Sequence, residues 1–177
     1  MKPVFIPPRT IMEVYKNLPE GTLAELIDNV IYMSPPPVKI HQQMLQTIFR
    51  RLSEAIEDSN LGEIIVAPFD VYLDRSSNAV QPDITVILKG NKGESRPNGH
   101  FCGIPDFIIE VISPGNKDHD LVRKKELYER FGVPEYWIVD PQTKDTLGYY
   151  LVDQQYVGLN AEQGKISFRL NNLTISF

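Results

Sequence analysis

Apolar and polar residues alternate along this chain with two different periods, which divide it into helices and strands. The clearest helical pattern covers residues 40–58, and its apolar residues recur at every fourth position: Ile40, Met44, Ile48, Leu52 and Ile56. This spacing places an apolar stripe along one face of a helix. Shorter helices are predicted over residues 10–18, with Thr10 as the N-cap, and over residues 120–131, ending at Gly132.

Strand-like segments lie between and after these helices. Residues 23–33 alternate loosely and predict a strand or a bent hairpin, and the tail over residues 147–177 predicts two or three added antiparallel strands. Residues 89–103, rich in Gly, Lys, Asn, Arg and Pro, predict an exposed, mobile loop. Core strands are predicted at residues 63–73, 80–88, 107–113 and 135–139. The order helix, three strands, helix, strand predicts an α/β sandwich with a mixed sheet.

Composition narrows the class of protein. The 177 residues predict a single domain over residues 1–177 with a full core, and the one cysteine, Cys102, suits a reducing cytoplasm. The N-terminus lacks the apolar segment of a signal peptide, and no run approaches the roughly 18 apolar residues of a membrane span, so no membrane partner is expected. A net charge of −5 argues against non-specific coating of nucleic acid but leaves DNA open as a substrate.

Several common sites are excluded by their missing motifs. The chain has no glycine-rich phosphate loop, no G-x-S-x-G elbow and no pair of cysteines for zinc. Its three histidines, His41, His100 and His119, lack the spacing of metal ligands. Cys102 shows no sign of activation and is interpreted as a spectator thiol.

Glu110 is the candidate that the pattern itself singles out, because it interrupts the apolar run over residues 107–112. A strand that is apolar on both faces lies inside a sheet covered by helices, where a carboxylate loses several kcal/mol of hydration unless it is compensated. Two kinds of positive charge could offset the lost hydration of this carboxylate. One is a bound cation, and the other is a structural ion pair with Lys124 or Lys125 of the following helix.

Asp83 offers a second carboxylate on a neighbouring predicted strand. It follows Pro82 in the run VQPDITVIL and, taken alone, is typical of an aspartate at a turn or strand entry. Together with Glu110 it matches the one or two carboxylates with which proteins bind Mg²⁺. On the following helix Asp120, Lys124 and Tyr128 are spaced by four and share a face, so a lysine could stabilise charge on a scissile phosphate there; the alternative is a solvated basic surface.

These residues carry a family resemblance. Asp83 after Pro82, Glu110 in EVISP, and the segments DLVRKKELY and GVPEYWIVDP resemble the Uma-two family of bacterial endonucleases. That family belongs to the PD-(D/E)XK, restriction-endonuclease-like superfamily, and the resemblance runs from AELIDNVIYMSPPP to VDP. It implies an αβββαβ core and hydrolysis of phosphodiester bonds in DNA with Mg²⁺, or Mn²⁺ in its place.

The resemblance also assigns residues to a site. It implies that Asp83 and Glu110 are metal ligands. Where the superfamily motif has its lysine this chain has Ile112, and the family pattern implies that the lysine comes from the next helix as Lys124. The acidic position of a segment that usually reads E-L-I-D-G is matched by Glu25.

Asn29 replaces the glycine of that segment and tolerates the same positive φ. His41 matches a histidine at the start of the first core helix. The alternatives are a strand-edge carboxylate for Glu25 and a boundary histidine for His41.

Three functions follow as hypotheses. The first is a metal-dependent DNA endonuclease, expected to be a homodimer because two sites cut both strands of a duplex most simply. The second is a catalytically inactive nuclease-fold protein that binds nucleic acid or serves in an assembly, favoured by the acidic composition and the displaced lysine. The third is a metal-dependent phosphoesterase for small nucleotides.

Overall fold

The structure is a computed structural model that describes residues 7–95, 99–113 and 119–177, without the side chains of residues 119–121. The α-helices are α1 (Ile11–Lys16), α2 (Lys39–Leu52) and α3 (Lys125–Phe131), and π-helical turns cover Ser53–Glu57 and His119–Lys124. The strands are β1 (Ala24–Ile27), β2 (Val30–Met33), β3 (Gly62–Val66), β4 (Val71–Tyr72), β5 (Ala79–Val80), β6 (Ile84–Leu88), β7 (Glu94–Ser95), β8 (Phe101–Cys102), β9 (Phe107–Val111), β10 (Glu135–Val139), β11 (Asp145–Val152), β12 (Gln155–Gly158), β13 (Glu162–Gln163), β14 (Lys165–Ser167) and β15 (Thr174–Ser176).

Two large sheets form the centre of the molecule. A seven-stranded sheet runs β12-β11-β10-β9-β6-β3, with β13 paired to β11, and a six-stranded sheet runs β2-β1-β5-β4-β8-β7. On one face of the seven-stranded sheet α2 packs together with the small β14-β15 sheet. On its other face lie α3 and the six-stranded sheet, whose far side is covered by α1. The protein is therefore layered, and the strands β6, β9 and β10 are buried from both sides.

Strand β9 holds the centre of the seven-stranded sheet. It pairs in parallel with β10 and antiparallel with β6, with Ile84 opposite Ile109. Side chains alternate along a strand. Phe107, Ile109 and Val111 therefore face α2, while Ile108 and Ile112 face α3. The alternation turns Glu110 towards α3.

The hairpin β1-β2 is the element predicted over residues 23–33. Its two-residue turn consists of Asp28 and Asn29, which both have positive φ values, 48° and 63°. Two left-handed residues give the turn that fits the twist of a short hairpin. The positive φ expected at Asn29 is therefore confirmed.

Two predicted strands are wrong in their extent, because each is divided between the two large sheets. The segment 63–73 becomes β3 in one sheet and β4 in the other, and the segment 80–88 becomes β5 and β6. Each break contains a proline, Pro68 or Pro82, which has no N–H to donate to a strand ladder. Asp83 consequently lies just before β6 and not within a strand.

The segment 89–103 is also more ordered than a loop, since it contributes β7 and β8, and Phe101 is fully buried. Residues 96–98 of that segment lie outside the described part. The tail forms five strands, β11 to β15, in place of two or three. The helix over residues 40–58 is α-helical only to Leu52, and its buried stripe includes His41 while Ile40 is 40% exposed. None of the described helices is long and apolar enough to cross a membrane.

Packing at β11 gives a test of the central sheet. Gly148 lies opposite Trp137, and a Cβ atom at position 148 would overlap the indole ring. We expect Gly148→Ala to lower the free energy of unfolding by about 1–3 kcal/mol, because overpacking forces the core to shift. Urea denaturation measures the change. Gly158→Ala in the adjacent strand β12 is the control, since a Cβ there meets nothing within 4 Å; equal losses in both variants would contradict this packing.

Candidate active site

Five ionisable side chains from the two large sheets, the residue before β6 and two helical segments converge at one end of β6 and β9. They line a cavity of about 280 Å³. Asp83 immediately precedes β6, and Glu110 lies in the adjacent strand β9. The other three come from β1, from the first turn of α2 and from the end of the second π-helical turn: Glu25, His41 and Lys124.

Asp83 and Glu110 are locked together through the main chain. The backbone N–H of Asp83 donates to Glu110 Oε2 over 3.3 Å, and the backbone N–H of Val111 donates to Asp83 Oδ2 over 2.8 Å. Glu110 thus accepts a hydrogen bond from the main chain of Asp83, and Asp83 accepts one from the residue after Glu110 in β9. The antiparallel register of β6 and β9 places both carboxylates at the same end of the sheet.

Lys124 lies between two buried carboxylates. Its Nζ is 2.8 Å from Glu110 Oε1 and 3.0 Å from Glu25 Oε1, and the three residues are only 2–5% exposed. Taking such charges out of water costs several kcal/mol per ion unless the geometry is close and further hydrogen bonds are made. Lys124 ends a π-helical turn, an uncommon form that occurs frequently at functional sites.

Tyr128 completes the surroundings of Glu110. Its hydroxyl donates to Glu110 Oε1 over 3.0 Å. Burial raises the pKa of Tyr128 well above its usual range; the Lys124 charge opposes that rise and the charges of Glu110 and Glu25 add to it. The phenol therefore keeps its proton and acts as a fixed hydrogen-bond donor.

His41 supports Asp83 from the other side of the site. Its Nε2 lies 3.0 Å from Asp83 Oδ2, and His41 is 4% exposed while the Asp83 side chain is 17% exposed. A histidine on this buried stripe could have been a purely structural residue. The structure brings it into contact with a cavity-lining carboxylate.

The hairpin β1-β2 is tied to the helix that carries Lys124. Besides the contact between Glu25 and Lys124, Arg123 lies over the Tyr32 ring at 4.3 Å, and Arg130 pairs with Asp28 at 2.6 Å. Three contacts thus hold the six-stranded sheet against the π-helical turn and α3. They fix the position of Glu25 over the end of β9.

The donor set suits a hard divalent cation. Among the described residues, the cavity lining contains three carboxylates and one ammonium, and carboxylate oxygens are the ligands that Mg²⁺ prefers. Within the same residues no three His, Cys, Asp or Glu side chains are arranged to hold a metal by themselves. Asp83 and Glu110 could therefore supply one or two ligands, with water and substrate oxygens in the remaining positions, as is usual for Mg²⁺.

The structure distinguishes between the two candidate lysines. Lys125 points away from the cavity and lies over the Tyr149 ring at 5.0 Å, whereas Lys124 contacts Glu110. Ile112 is buried in the cluster that faces α3, on the same side of the sheet as Glu110. The side chain of Asp120, expected on the face of Lys124, lies outside the described side chains.

Among the contacts that the sequence patterns missed are two hydrogen bonds to carboxylates of the site. The hydrogen bond from Tyr128 to Glu110 has a visible signal, because Tyr128 is one helical turn beyond Lys124. The backbone N–H of Gln81, which donates to Glu25 Oε1 over 2.9 Å, has none, since it depends on the pairing of β1 with β5.

The fold is shared with a protein of known structure. A crystal structure described as "a putative nuclease belonging to DUF820 from Anabaena variabilis ATCC 29413" has a TM-score of 0.75 with this chain at 17% sequence identity. The similarity covers 96% of this chain and 95% of that chain. At this identity the likeness establishes the fold, and the predicted restriction-endonuclease-like α/β fold is confirmed.

The sequence profile of the Uma2 family, described as "Putative restriction endonuclease", matches residues 12–174. This chain therefore belongs to the Uma2 family, and the resemblance noted in its motifs is confirmed. No curated protein is significantly similar to the chain. Fold and family together place it among nuclease-like proteins.

The arrangement around Lys124 predicts an asymmetry in stability. Lys124→Met leaves Glu25 and Glu110 facing each other without their shared ammonium, and we expect a loss of about 3–5 kcal/mol in the free energy of unfolding. Glu110→Gln leaves Lys124 paired with Glu25 but replaces one of the two accepting oxygens by an NH₂ group, and we expect a smaller loss of about 1–3 kcal/mol. Urea denaturation in the presence of a chelator measures both; equal losses would show that the lysine does not bridge the two carboxylates.

Proposed function

We propose that this protein is a Mg²⁺-dependent DNA endonuclease. The observation that carries the proposal is the contact between Lys124 and Glu110 beside Asp83, at the shared end of two adjacent strands. Two carboxylates for a cation and one ammonium for a phosphate are the groups that phosphodiester hydrolysis needs. The nuclease-like family and fold support the same reaction class.

Each residue of the site receives a role in this proposal. Asp83 and Glu110 hold Mg²⁺, or Mn²⁺ in its place. When bound, such an ion lowers the pKa of a water molecule and so supplies the nucleophile near neutral pH. The Lys124 ammonium stabilises the negative charge that develops on the scissile phosphate. Glu25 holds Lys124 in place, and His41 orients Asp83.

DNA in the cytoplasm is the proposed substrate. The net charge of −5 disfavours broad electrostatic binding, so recognition has to be local to the cavity. We include a homodimer in this proposal because a double-strand cut needs two hydrolytic events. Two subunits would present one site to each strand of a duplex.

Cleavage of supercoiled plasmid with Mg²⁺, and its loss with a chelator, is the first measurement. We expect Asp83→Asn and Glu110→Gln to abolish cleavage with the fold retained, because each removes a proposed metal ligand. Glu63→Gln, on the exposed part of β3, is the matched control and should cleave as the parent does. Circular dichroism verifies that each variant is folded.

The outcome separates the three hypotheses. A parent protein that binds plasmid but never cleaves it under any divalent cation would support the inactive nuclease-fold module instead. Hydrolysis of small nucleotide phosphodiesters without cleavage of plasmid would support the phosphoesterase.

The lysine assignment is tested separately. We expect Lys124→Ala to reduce the rate of cleavage by about 10²–10³-fold while Mg²⁺ binding is kept, because the ammonium serves the transition-state charge. Lys125→Ala should have a mild effect, because Lys125 lies over Tyr149 outside the cavity. Single-turnover rates and calorimetric Mg²⁺ titrations, made at a temperature where both variants are folded, measure the two properties. The reverse pattern would make Lys125 the catalytic lysine.

A further inference from the structure

A second, larger cavity lies beside the proposed active site. Its volume is about 700 Å³, within the range of small-molecule sites. We call it the Tyr72 groove, and it is defined here by Tyr15, Lys16, Phe69, Asp70, Tyr72 and His100. The residues come from α1, from the break between β3 and β4, from β4, and from the residue before β8.

Aromatic rings form much of the groove. Tyr72 packs edge-on against Tyr15 with centroids 6.3 Å apart, and the His100 ring is tilted over Tyr72 at 4.3 Å. The Lys16 ammonium lies 5.0 Å above the Tyr72 ring. Lys16 is exposed, and His100 and Phe69 are half-buried, so a ligand can reach a cation and two ring systems.

A polar group is held rigidly among these rings. Asp70 Oδ1 accepts hydrogen bonds from the Tyr15 hydroxyl over 2.8 Å and from Gln81 Nε2 over 2.9 Å. Gln81 Nε2 also donates to the carbonyl of Thr22 over 3.2 Å. The carboxylate is therefore fixed in position. Because an ionised carboxylate has no proton to donate, it can interact with a ligand only as a hydrogen-bond acceptor.

The groove adjoins the proposed active site. Pro68 and Gln81 line both cavities, so the two share a wall. Gln81 also connects them chemically, because its side chain binds Asp70 while its backbone N–H binds Glu25, the partner of Lys124. A strand whose phosphate lies beside Lys124 would pass its neighbouring nucleotide over Pro68 into the groove.

We propose that the Tyr72 groove binds one unpaired base of the DNA strand next to the scissile phosphate; this inference rests on the proposed endonuclease function. Sites that bind single-stranded nucleic acid combine aromatic rings, on which any base can stack, with positive charges that contact the phosphates. His100 and Phe69 stack on the base, Asp70 accepts from its edge, and Lys16 contacts a phosphate. DNA with unpaired nucleotides is then the preferred substrate over intact duplex.

Binding without metal tests the groove independently of cleavage. The probe is a fluorescein-labelled oligothymidylate of about eight nucleotides, a length typical of single-strand sites. Fluorescence anisotropy with the full-length protein in the presence of a chelator gives the affinity at several salt concentrations. The variants are His100→Ala and Lys16→Ala, and Lys89→Ala removes another exposed lysine, one that does not line the groove, as the control.

We expect His100→Ala to weaken binding about fivefold or more, because it removes a stacking surface. Lys16→Ala should reduce the slope of log K against log salt by about 0.7, the effect of one phosphate contact on a single strand. Lys89→Ala should change neither quantity. The groove assignment is overturned if His100→Ala and Lys16→Ala bind as the parent does, or if Lys89→Ala loses as much binding as they do. It is also overturned if the parent does not bind the oligonucleotide.

The two proposals can fail separately. If the parent cleaves plasmid with Mg²⁺ but the groove variants bind the oligonucleotide as tightly as the parent, the groove assignment alone is wrong. If the groove variants lose binding as expected but the parent cleaves no DNA, the endonuclease proposal is wrong and the groove stands as a nucleic-acid-binding site.

Discussion

The burial of Lys124 between Glu25 and Glu110 is the constraint on which the rest of this structure depends. Three charged groups with 2–5% exposure are tolerated only when their mutual contacts offset the loss of hydration. Those contacts form only if β9, the hairpin β1-β2 and the second π-helical turn are all docked at once. The charged cluster therefore couples the six-stranded sheet to the seven-stranded sheet at the point where the proposed chemistry takes place.

The switch of the chain between the sheets gives the site its second carboxylate and its neighbouring groove. Strand β5 belongs to the six-stranded sheet and ends before Pro82. Asp83 then lies in the site, directly before β6 of the seven-stranded sheet. Gln81, just before this proline, lies between the two cavities and binds both Asp70 and Glu25. One short connection thus links the proposed metal ligand Asp83 to the groove in which we propose that a DNA base binds.

The sequence predicts those parts of the site that depend on local pattern. Glu110 is visible because a carboxylate interrupts an apolar strand, and the spacing of four links Lys124 to Tyr128. The contact of Glu25 with Lys124 is not visible in this way, because it depends on how a hairpin in one sheet docks on a helix beside another. The division of two predicted strands was missed for the same reason, since apolar runs do not show to which sheet each half belongs.

The proposed site for a divalent cation is formed by Asp83 and Glu110 beside Lys124. Anomalous diffraction from crystals of the protein grown with Mn²⁺ tests it most directly, because Mn²⁺ can replace Mg²⁺ at oxygen ligands and is located by its own scattering. We expect an anomalous peak in the cavity, in contact with carboxylate oxygens of both Asp83 and Glu110. A fully folded protein without such a peak, or with Mn²⁺ bound only at a distant surface, would contradict it.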